Sequence, residues 1–107
     1  MAICWVRAGI CGQESTIEAV KISQTKVKIS LVTTCKHLQT LAEELRELDF
    51  GSEVVRPMNE ALTYEIAAKH VCRNSCIVPA AILKTMEVAG GIFLPESCAI
   101  EFVKGAV

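Results

Sequence analysis

The chain has 107 residues, 51% of them apolar and six of them cysteine, and a net charge of −1. That length suits one domain with one core, here residues 1–107. The near-neutral balance with scattered Lys and Arg excludes the basic footprint of a nucleic-acid binder.

Ala2–Ala8 reads as a short strand, with Ile3 and Trp5 on one side and Cys4 and Val6 on the other, until Gly9 and Gly12 break it. Thr16–Ile22 is a second strand, and after the polar turn Ser23–Thr25 comes a third, Lys26–Thr34. In the third, apolar Val27, Ile29 and Leu31 alternate with Lys26, Lys28 and Ser30, the period of a half-buried antiparallel strand. Cys35 keeps the apolar parity and is expected to begin on the core side. Leu38, Leu41, Leu45 and Leu48 then repeat at helical spacing, capped by Thr34 or Cys35 and ended by Asp49-Phe50-Gly51.

Glu53–Met58 reads as irregular chain, and Asn59 as the cap of a helix reaching Val71 with Leu62 and Ile66 inward. A loop, Cys72–Val78, leads to Pro79, which suits the first turn of a helix over Pro79–Ala89. That helix is apolar nearly all round, which predicts deep burial, and Gly90-Gly91 ends it. Cys98–Val103 is expected to return as a final strand with Cys98, Ile100 and Phe102 on one face. Strands, then helices, then a strand give an α+β fold: a small, mostly antiparallel sheet with three helices packed on one face.

Arg7, Gly9 and Gly12 interrupt any secretory pattern in residues 1–15, and the apolar run Cys76–Leu83 is too short to span a bilayer. The expected setting is therefore cytoplasmic, with reduced thiols and no nucleic-acid or membrane partner. Cys4 and Cys98 sit among aliphatic neighbours in strand patterns and read as small core residues. Cys11, Cys35, Cys72 and Cys76 instead border loops, two of them at helix starts where a thiolate is favoured.

Those four sulfurs are the candidate metal ligands, with His37 or His70 as an alternative fourth donor. Thiolates are soft donors, and a closed set of four matches a zinc ion or an iron–sulfur cluster. The spacing supplies no ready knuckle: Cys72 and Cys76 are separated by three residues, and Pro79 stands where a radical-type cluster motif needs another cysteine. The fold itself must therefore assemble such a site. Two other readings stand beside it. The cysteines are inert core residues of a structural or interaction domain, or Cys35 or Cys76 serves thiol redox chemistry.

Ile10-Cys11-Gly12, Thr16, Thr34-Cys35 ahead of Leu41-Ala42-Glu43-Glu44-Leu45, and Cys76-Ile77-Val78-Pro79-Ala80-Ala81-Ile82-Leu83-Lys84 form a recognisable set, continued by Glu87-Val88-Ala89 and Leu94-Pro95. It resembles a family of small uncharacterised cysteine-containing proteins from anaerobic prokaryotes, a domain of unknown function. The resemblance implies that Cys11, Cys35 and Cys76 belong to the family pattern and carries over no activity, reaction or substrate. An anaerobic source would suit an oxygen-sensitive cluster. The exposed sheet edge and the apolar C-terminal segment make a homodimer the candidate assembly.

Overall fold

The computed structural model describes residues 1–105. Four strands, β1 (Ala2–Arg7), β2 (Glu14–Lys21), β3 (Lys26–Thr33) and β4 (Glu47–Asp49), lie side by side in chain order, each antiparallel to the next. The register lines up three inward rows, Ala2–Ala19–Ile29, Cys4–Ile17–Leu31 and Val6–Ser15–Thr33. Ile17, Ala19, Val27 and Ile29 are fully or almost fully buried on that face. The strand parity expected from the alternation is thus the parity observed.

Helices α1 (Lys36–Glu44), α2 (Phe50–Glu53), α3 (Leu62–His70) and α4 (Val78–Ala89) complete an α+β fold, with a 3₁₀ turn at Met58–Glu60. Helix α4 crosses β1, β2 and β3, while α1 lies on β3 and α3 contacts both α1 and α4. Val78, Ile82 and Met86 of α4 and Leu41 of α1 are completely buried and, with the inward strand residues, form one continuous core. The burial of α4 is one-sided: Lys84 is exposed, and Glu87 is half-buried.

Two expected elements are corrected. Helix α1 stops at Glu44, and Leu45 and Leu48 are buried outside it. The chain turns at Arg46, whose carbonyl accepts the Ile29 N–H at 2.8 Å, and Glu47–Asp49 then pairs with the edge of β3. Glu47 stands opposite Lys28 and Asp49 opposite Lys26, with Leu48 and Val27 buried between them. Opposed charges and an apolar pair are the favourable cross-strand combination, and helical leucine spacing cannot reveal them.

The second correction is the final strand. Residues 95–103 form no regular element and are exposed, so the fourth strand of the sheet comes from Glu47–Asp49 instead. Helix α4 ends as expected, with Gly90 capping it and Gly91 at φ +82°, a conformation that glycine adopts at least cost. Gly90 also lies so close to Phe50 that a Cβ would stand 3.1 Å from its ring.

Helix α3 starts at Leu62, after Asn59, and Leu62 itself is exposed while Ile66 is buried. The cap comes from nine residues upstream: the Glu53 carboxylate accepts the Leu62 N–H at 2.8 Å, the Thr63 N–H at 3.0 Å and the Thr63 hydroxyl at 2.9 Å. Glu53 is only 5% exposed, so these bonds replace the water it has lost. Charge-assisted hydrogen bonds at a helix start contribute more than ordinary ones. Glu53→Ala is therefore expected to lower stability by about 2–3 kcal/mol, and Glu53→Gln by less. Urea unfolding measures both, and a loss below about 0.5 kcal/mol for the alanine variant would contradict the capping role.

Candidate functional site

The β1–β2 hairpin turns through residues 8–13, where Gly9 and Gly12 take positive φ values of 89° and 74° and the Gly12 N–H donates to the Gly9 carbonyl at 2.9 Å. This turn presents Cys11 to solvent. Its far side is tied to the end of β3. The Thr34 N–H donates to the Glu14 carbonyl at 3.0 Å, the Glu14 N–H to the Thr34 hydroxyl at 3.0 Å, and that hydroxyl to Gln13 Oε1 at 2.6 Å.

One residue earlier, the Thr33 hydroxyl accepts from Ser15 Oγ at 2.8 Å and from the Cys35 N–H at 3.1 Å. This threonine strap fixes the entry of Cys35, which occupies the N-cap of α1 without using its side chain as a cap. Cys35 is half-buried and packs against the core, as the continued strand parity predicts. Sequence reading singled out the cysteines but missed Gln13, Ser15, Thr33 and Thr34. Adjacent threonines at a strand-to-helix junction were the available signal.

The α3–α4 connection brings the remaining two thiols. Cys72 is exposed just beyond α3, and Cys76, half-buried and packed on the core, follows a turn closed by its N–H to the Arg73 carbonyl at 3.2 Å. Burial pushes the Cys76 thiol above its ordinary pKa, the Val78 backbone N–H pulls it down, and the charges of Cys35, Cys72 and Cys11 each push it up further. Cys11 on the hairpin turn, Cys35 at the start of α1 and Cys72 just beyond α3 thus all act on Cys76 by their charge. A negative charge nearby disfavours the ionised form of a thiol.

All six cysteines are free, and among the described residues no group of three or more His, Cys, Asp or Glu is set to hold a metal ion as it stands. Of the two histidines, His70 is engaged by α1. His70 contacts α1 with both ring nitrogens, Nδ1 at 3.1 Å from the Thr40 hydroxyl and Nε2 at 3.3 Å from Glu44 Oε1. Lys69 binds the same carboxylate at 2.6 Å, and hydrogen bonds from Lys69 and then His70 hold Glu44 below the ordinary carboxylate range. His37 is exposed. Of the two cysteines read as core residues, Cys4 is half-buried against the core, and Cys98 is exposed on the unpaired C-terminal segment.

Alkylation requires the thiolate, so exposed Cys11 and Cys72 are expected to label before Cys76 at neutral pH, and the opposite order would contradict the electrostatics. A thiol whose pKa is raised on folding contributes stability that is present below the unfolded value and lost as pH rises through the folded one. Cys76→Ala is thus expected to flatten the alkaline fall in stability relative to the parent chain. No curated protein and no solved structure matches the chain. Residues 3–102 match the family described as "Family of unknown function (DUF6951)". The chain therefore belongs to that family of unknown function, DUF6951.

Proposed function

We propose that the cysteine end of the molecule binds a soft metal centre, a zinc ion or an iron–sulfur cluster, through Cys11, Cys35, Cys72 and Cys76. The observation that supports this reading is placement: Cys35 and Cys76 sit half-buried against the core just ahead of α1 and α4, Cys11 and Cys72 are exposed on turns, and the other three thiols each act on Cys76 by their charge. Anions gathered in this way repel one another, and a cation bound among them reverses that repulsion while releasing their protons. Cys35 and Cys76 form the half-buried floor, and Cys11 and Cys72 are exposed partners on turns. Metal capture then stabilises the folded state in proportion to metal affinity.

The elevated Cys76 thiol weighs against the redox reading, because a nucleophile is activated by a lowered pKa. Burial is also incomplete for all four sulfurs, which weighs against inert core residues. Protein prepared anaerobically under reducing conditions is expected to carry or take up zinc or iron at fixed stoichiometry. Titration with Co(II) should give sulfur-to-metal absorption, and serine at any one of the four positions should weaken uptake by more than about tenfold. Equal uptake by the parent chain and by the variant with all four replaced would remove the proposal.

A further inference from the structure

The C-terminal segment carries a strand pattern without a strand beside it. Beyond Gly91 the chain is rooted on its own helix: the Ile92 and Phe93 N–H groups donate to the Glu87 carbonyl at 2.9 and 3.3 Å. After Pro95 it runs with Cys98, Ile100 and Phe102 at alternate positions, and Ile100 and Phe102 are 76% and 90% exposed. Apolar side chains at period two are the pattern of a strand with one buried face.

The same molecule offers an edge that has no strand. In the order β1-β2-β3-β4, β1 has a neighbour on one side only. The Ala8 N–H donates to the Gln13 carbonyl at 3.1 Å, so the even-numbered residues direct their backbone groups at β2. The N–H and C=O groups of Ile3, Trp5 and Arg7 therefore face the open edge, and Ile3 and Trp5 are 62% and 59% exposed. An edge of this length with apolar side chains is a template for a further strand.

We propose that residues 97–103 of one copy pair with the β1 edge of a second copy, and reciprocally, giving an arm-exchanged homodimer. One chain supplies both the strand that lacks an edge and the edge that lacks a strand, which a two-fold axis closes without leaving either unpaired. With its apolar side toward the helical layer, the arm sets Cys98, Ile100 and Phe102 beside the inward positions Ala2, Cys4 and Val6. α4 already covers β1 on that side. The opposite parity then brings Glu101 onto the face carrying Arg7, the one charged residue of β1, which stacks over Trp5 at 4.9 Å.

The test is the mass of the full chain in solution over a concentration series, with reductant and a metal chelator present to exclude disulfides and the cysteine end. The expected mass is twice 11.6 kDa. Ile100→Asp with Phe102→Asp changes only exposed side chains and is expected to weaken dimerisation by more than about tenfold with an unchanged circular dichroism spectrum. Trp5→Pro removes an outward N–H that makes no bond to β2, and is expected to do the same. Mixing the arm variant with the edge variant should restore dimers through the one intact arm and the one intact edge. A parent chain monomeric at every concentration, or a dimer indifferent to the arm variant, overturns the proposal. If Trp5→Pro fails to fold, the arm variant alone decides.

Discussion

The structure depends on covering one face of a four-stranded meander. Because the strands are antiparallel and joined in chain order, alternate residues fall into inward rows without any crossover. Those rows are aliphatic except at the Ser15–Thr33 end, and α4 seals them with Val78, Ile82 and Met86. The remaining helices secure the margins of this contact: α1 rests on β3, and α3 wedges between α1 and α4. Remove the apolar stripe of α4 and the inner rows of the sheet face water.

Polarity at the margin organises the cysteine end. Where the aliphatic rows give way to Ser15 and Thr33, hydroxyls and backbone groups lock the β1–β2 hairpin to the start of α1. The hairpin turn, the α1 start and the α3–α4 loop are three pieces of chain that the meander and its cover bring to one end. Charges on Cys11, Cys35 and Cys72 disfavour ionisation of Cys76, and this is the interaction the proposed cation would reverse.

Much of the fold was legible because it is written locally. The alternation in Lys26–Thr33 gave the inward set, and Pro79 and Gly90-Gly91 bracketed α4 within one residue of its bounds. The errors fall where a distant partner decides. Leu38, Leu41, Leu45 and Leu48 keep helical spacing, yet the open edge of β3 and its two lysines draw Glu47–Asp49 into the sheet. Glu53 looks like a solvated acid, and only the tertiary fold shows that it ends in the first turn of α3. The cysteines of the candidate site were visible individually. Their placement relative to one another was not, since it depends on the meander and its helical cover and on no local spacing.

The contact between Gly90 and Phe50 has a consequence for how the molecule is steered. Phe50 opens α2 directly after β4, so the last turn of α4 is seated on the same aromatic ring that anchors the sheet's short edge. With no side chain at 90 to hold them apart, the end of α4 approaches the ring this closely. A single added methyl there would stand 3.1 Å from the ring, so Phe50 or the last turn of α4 has to give locally to admit it. Substitution at this half-buried junction thereby bears first on how α4 seats against the short edge of the sheet.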